Sequence, residues 1–185
     1  MHRRSLPLVL VVLAAFAVAA CGNKEAVVKV AETEGIYVDV GALDYQVQIS
    51  RILNPNSVPD SQYLTGLPED EAGPTDKETW FGVFVRVQNS TETVQTPALK
   101  FEIVDTQEKS FEPITLDAKE NVFAYTANPL APGATLPAVD SLTNEGPSQG
   151  SMLLFKLPFD TLQNRPLEFK IETFAGEEGV VDLDV

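Results

Sequence analysis

Residues 80–90 read Trp80-Phe81-Gly82-Val83-Phe84-Val85-Arg86-Val87-Gln88-Asn89-Ser90. Val83, Val85 and Val87 alternate with Phe84 and Arg86, and that period of two sends successive side chains to opposite faces of a strand. Trp80 and Phe84 lie on the face opposite the valines, so the segment is apolar on both sides at its start, the pattern of a strand central in its sheet. The same period recurs outward from it. Tyr45, Val47 and Ile49 alternate with Gln46, Gln48 and Ser50; Leu99, Phe101 and Ile103 alternate with Lys100 and Glu102. Leu167, Phe169 and Ile171 alternate with Glu168 and Lys170, and Val181, Leu183 and Val185 with Asp182 and Asp184. In the run Gly150 to Pro158, Phe155 shares a face with Leu153 and Leu157, which predicts a core position for Phe155 and a less buried one for Met152.

Turn signals separate these runs. They are Asp105 to Ser110, the dipeptide Pro132-Gly133, and Gly176-Glu177-Glu178-Gly179 between the last two strands. The chain has 13 prolines, and apart from Pro7 they are spread from Pro55 to Pro166, leaving no long helical window. The architecture this predicts is an all-β, antiparallel sandwich of about seven to nine short strands in two sheets, with a closed barrel as runner-up. The longest non-periodic stretch, Asn54 to Thr79, has 26 residues with four prolines and two glycines and follows the first core strand; loops of that length in a compact domain are usually functional or disordered.

The N-terminus states a location. His2, Arg3 and Arg4 precede an apolar run from Leu8 to Ala20, then Cys21. This is the pattern of an export signal and is too short for a spanning helix of about 20 residues. Val18-Ala19-Ala20-Cys21 resembles the bacterial lipobox, which implies cleavage before Cys21 and a covalent diacylglycerol on its thiol. The expected organisation is therefore a lipoprotein signal peptide over 1–20, the lipidated Cys21 with a tether over 21–34, and a sandwich domain over 35–185. Within the tether, Val27-Val28-Lys29-Val30 leaves a second reading open, a short donated strand. The expected localisation is extracytoplasmic, held at the membrane through Cys21.

Composition narrows the chemistry. The 185 residues include 13 Lys plus Arg, 27 Asp plus Glu, one His and one Cys. Without residues 1–20, the remaining 165 carry 11 bases against 27 acids, a net charge of −16, and no histidine. Ser-His-Asp and Cys-His machinery and His or multi-Cys zinc sites are thereby excluded from the mature chain. Met152 without His or a second Cys disfavours copper, and the acidic balance opposes nucleic-acid binding. A carboxylate pair of the glycosidase kind needs only two acids about 5 to 9.5 Å apart, yet nothing singles out a pair, and no catalytic residue is assigned.

Resemblance adds a family. Val83 to Ser90, Leu130-Ala131-Pro132-Gly133 and Gly150 to Pro158 resemble strands and a turn of the bacterial immunoglobulin-like domains of unknown function numbered 4352, relatives of a secreted mycobacterial antigen. The resemblance spans approximately Asp44 to Val185. It implies an immunoglobulin-like sandwich in a secreted or lipid-anchored protein and carries no catalytic residues.

Two candidate sites fall in the long insertion. Glu69, Asp70, Glu71 and Asp76 are candidate ligands for calcium, a hard cation that takes six to eight oxygens; their spacing lacks the EF-hand pattern, and a solvated acidic loop is the preferred reading. Tyr63, Leu64 and Leu67 interrupt the polar composition and are candidate anchors for an envelope protein partner, but a loop that tacks itself onto the sandwich is the preferred reading. Asn89-Ser90-Thr91 matches a glycosylation sequon but reads better as a strand-end turn. The function expected is a non-catalytic interaction or structural module. A cation-dependent ligand-binding domain is the alternative, and a carboxylate-based hydrolase ranks below it.

Overall fold

The computed structural model describes residues 27–145 and 148–185; the signal segment and Cys21 lie outside them. The described strands are β1 (Val30–Ala31), β2 (Tyr37–Val40), β3 (Leu43–Leu53), β4 (Glu78–Gln88), β5 (Lys100–Val104), β6 (Ser110–Phe111), β7 (Thr135–Leu136), β8 (Ser151–Pro158), β9 (Leu167–Glu172) and β10 (Glu178–Leu183). Seven of them have four or more residues and three have two. One sheet runs β1-β10-β9-β5-β6; the other runs β2-β3-β4, with β8 and then β7 along the far edge of β4. Every pairing is antiparallel except β1 with β10. The protein is a β-sandwich of the immunoglobulin-like, two-sheet kind, and β4 is central as its two apolar faces predict.

The main core lies between the sheets. Val83, Val85 and Val87 meet Phe101, Ile103, Phe169 and Ile171 there, each 2% exposed or less. At Gly179 the sheets come so close that a Cβ would sit 2.4 Å from Val40 Cγ2, so glycine is required by space alone.

A second core forms on the outer face of β4. Trp80, Phe84, Leu53, Met152, Leu154 and Tyr63 are buried together, with Ile114, Leu116 and Phe123 packed against them. The lid over this face comes from the 54–77 and 112–128 segments. The expectation of a less buried Met152 is corrected: it is 1% exposed and Phe155 is 0%, because β8 is sandwiched on both faces.

Alternation also breaks at β3. Val47 pairs with Val85 and Ile49 with Phe84, leaving Gln48 as an extra residue in a bulge. One added residue reverses the facing of everything after it, so Ile49 turns to the second core instead of joining Val47. At the other end of the insertion β4 begins at Glu78, so Glu78 and Thr79, read as loop, belong to the strand.

The first described residues are part of the sandwich, which corrects the tether boundary at 34. The Val28 amide donates to the Asp39 carboxylate at 2.5 Å, and its carbonyl accepts the Asp39 amide at 2.6 Å. Val30 and Ala31 pair with Val180 and Val181. Glu34 accepts from Ser50 and from the Asp184 amide, its oxygen 3.2 Å away. The cause is the open edge of β10, whose backbone groups need partners.

Candidate functional site

Tyr63 is 5% exposed and is held edge-on between Phe84, with ring centroids 5.1 Å apart, and Phe123, at 4.7 Å. Leu64 and Leu67 pack half-buried against the same cluster. The loop lays Tyr63, Leu64 and Leu67, the candidate partner anchors, onto its own sheet. Burial of that apolar area outweighs what solvent exposure would retain.

Beneath Tyr63, Arg51 donates to Asp60 at 2.7 Å, with its guanidinium 5.5 Å from the Tyr63 ring centre. Asp60 also accepts the Asn54 amide at 2.9 Å. The Arg51 hydrogen bond, helped by the Asn54 amide and opposed by burial, lowers the Asp60 pKa below its ordinary range.

The predicted cation ligands do not converge. Glu69, Asp70 and Asp76 are exposed, whereas Glu71 pairs with Lys156 of β8. Among the described residues no three His, Cys, Asp or Glu side chains gather closely enough to hold a metal ion.

Other polar groups are spent on structure. Burial pushes the Asp105 carboxyl up, but hydrogen bonds from Asn164 and from the Lys109 and Gln107 amides outweigh it and leave its pKa lowered. Asp182 lies across β10–β9 from Glu168; burial, then Glu168, Glu32 and Asp184, push its pKa up. Asn89, fully buried, donates to the carbonyls of Thr93, Leu130 and Ala131 and accepts from Thr91. Its amide is a turn staple, as the strand-end reading of the sequon expects.

One end of the sandwich differs from the rest. The crossover 89–99 carries the chain from β4 to β5 there, and the hairpin 173–177 joins β9 to β10. Tyr45 and Tyr125 grip the crossover: the Ala98 amide donates to the Tyr45 hydroxyl at 2.6 Å and the Tyr125 hydroxyl donates to the Ala98 carbonyl at 2.9 Å. Ala98 is drawn inside, and Leu99, expected to face the core with Phe101, is instead 77% exposed. Opposite it stands Phe174, whose ring is fully exposed on the hairpin. Gly176, at φ +81°, supplies the left-handed residue that closes this turn.

Between them runs an open groove of about 530 Å³ lined by Thr96, Pro97, Leu99, Lys100, Thr173 and Phe174, with Glu172 paired to Lys100 at its wall. Leu99 also borders a smaller pocket of about 170 Å³ with Phe101, Ile114, Tyr125 and Leu153. The sequence held one signal for this site: Phe174 is a large aromatic placed in a turn, out of register with the Leu167-Phe169-Ile171 alternation.

No protein-family profile matches the chain, and no curated protein matches it either. The chain is similar in fold to the yjhA protein of Bacillus subtilis, at 13% identity and a TM-score of 0.53, over 83% of this chain and 99% of that one. An uncharacterized β-sandwich protein of Clostridium difficile 630 matches at 11% identity and a TM-score of 0.42, over 83% and 95%. A conserved hypothetical protein of Bacillus anthracis matches at 9% and 0.46, over 80% and 94%. The likeness to the yjhA protein is one of fold alone.

Proposed function

We propose that the protein is an extracytoplasmic, lipid-anchored, non-catalytic binding module that works through the apolar end of its sandwich. The observation that carries this is the contrast between that end and the rest of the molecule. Leu99 and Phe174 stand exposed beside a groove of about 530 Å³, while Asp60, Asp105, Glu71 and Asn89 are engaged in bonds that hold loops in place. An exposed apolar pair rimming a groove is the mark of an interaction surface. The finer resemblance to the 4352 family and the lipobox at Cys21 support the location.

Two measurements test it. Cys21→Ser is expected to abolish metabolic lipid labelling and to release the protein from membranes or stall its processing; retention with label overturns the anchor. A photoreactive residue at position 174 is expected to form adducts in the native envelope, and one at position 108, on the opposite β5–β6 turn, is not. Equal yields at the two positions overturn the binding end.

A further inference from the structure

We propose that this apolar end seats on the lipid bilayer itself, with Phe174 and Leu99 dipping into the interface so that the sandwich stands end-on to the membrane. The proposal rests on the reading of Cys21 as the lipidated residue and names the occupant of the groove described above.

Chain geometry supports it first. β1 runs parallel to β10 with Val30 opposite Val180, so going back from Val30 to Val27 the chain heads toward Glu178 and the 173–177 hairpin. Lys29 still accepts the Val180 amide at 2.9 Å. The chain therefore leaves the sandwich at the Phe174 end. Between β1 and β9 lie two strand spacings, about 10 Å in all, and the six residues from Cys21 to Val27 reach at most about 20 Å. An acyl anchor at Cys21 accordingly holds this end next to the lipid, whereas the far end lies at least a further β4 length away, about 35 Å for 11 residues.

Exposure and charge agree with that placement. Val27, Val94, Leu99 and Phe174 at this end are 69%, 63%, 77% and 106% exposed. The stretches Thr93 to Leu99 and Thr173 to Gly176 contain no charged residue; Glu92, Glu172 and Glu177 flank them, Glu172 being paired with Lys100. With a net charge of −16 after residue 20, the side walls are repelled by an anionic leaflet within about 8 Å. End-on contact through the charge-free tips keeps those walls farthest from it. Apolar tips held beside a covalent lipid add a second membrane signal to the first.

The test uses the full lipidated chain in vesicles of phosphatidylethanolamine and phosphatidylglycerol with brominated acyl chains. Phe174→Trp and Leu99→Trp are compared with Val58→Trp, a 76% exposed site at the opposite end. All three keep Trp80, 3% exposed in the second core, as a common background. The expected result is a blue-shifted, bromine-quenched emission from Trp at 174 and 99 and none of either from Trp at 58. Flotation with the vesicles but no quenching at 174 and 99 overturns the bilayer contact and leaves the binding module standing. Loss of lipid label and flotation in every variant overturns the anchor, and this proposal with it. Capture of a protein rather than lipid by a photoreactive group at 174 assigns the groove to a protein partner and likewise overturns it.

Discussion

Asn89 has no exposed surface and uses both ends of its amide to lock the 89–95 crossover to the Leu130–Gly133 turn. Asn89→Ala removes these buried or part-buried hydrogen bonds, although the Thr93, Leu130 and Ala131 carbonyls each keep one other donor, so it should cost about 1 to 3 kcal/mol in a denaturant titration, while Asn128→Ala on the exposed surface should cost close to nothing. Asp60 carries a pH prediction. Its folded pKa is lowered below 3.8 chiefly by Arg51, so its contribution is complete above that value and disappears as pH falls through the lower, folded one. Melting curves taken down the acid range should show a decline that Asp60→Asn flattens. The tyrosine pair behaves oppositely. Burial raises the pKa of Tyr45 from 10.0 and that of Tyr125 well above it. Stability is therefore full below pH 10 and falls as pH rises toward the folded values, a decline that Tyr45→Phe should reduce. Neither the Asn89 nor the Tyr45 partnership is visible in the sequence, because Asn89 with Leu130 and Tyr45 with Ala98 lie 41 and 53 positions apart.

At the scale of elements, the 54–77 insertion is a structural cover. Read from the sequence, the stretch is a long polar loop, functional or disordered; the structure puts its Tyr63 over Phe84 and Phe123. Replacing Ser57 to Thr75 with a Gly/Ser linker should therefore give an aggregating protein with Trp80 and Phe84 uncovered. Tyr63→Ala alone should cost about 3 to 5 kcal/mol by urea unfolding. In β8 both faces are core, so Phe155→Ala and Met152→Ala should fall in the same range of about 2 to 5 kcal/mol; a markedly smaller loss at Met152 would mean that the outer face is not packed. β8 shows where sequence reading fails. Its middle is apolar without a break, Met152-Leu153-Leu154-Phe155, and periodicity in such a run gives no way to tell one buried face from two. Where polar residues alternate, as at Glu168 and Lys170 in β9, the inward face was readable and is the one buried.

Across the whole molecule, no three carboxylates among the described residues gather closely enough to hold a metal ion, so calcium addition should leave the melting temperature unchanged in a thermal scan; a rise of several degrees would require a site formed by rearrangement of the 69–76 segment. By itself the sequence determined the period of two, hence strands; the two-sided β4, hence a central strand in a layered sheet; and the absence of histidine after residue 20, hence no imidazole anywhere in the sandwich. These follow from local patterning and composition, which need no knowledge of which segments meet. The tertiary structure alone decided that Gln48 bulges and turns Ile49 to a second core, that the insertion closes over β4, and that residues 28–31 complete the edge of β10. It also decided that Leu99 and Phe174 share one end with the departing chain. Each of these depends on contacts between segments distant in sequence, where burial and hydrogen bonding of one strand set the facing of another, and a one-residue shift at a bulge or a turn is enough to change what a side chain touches.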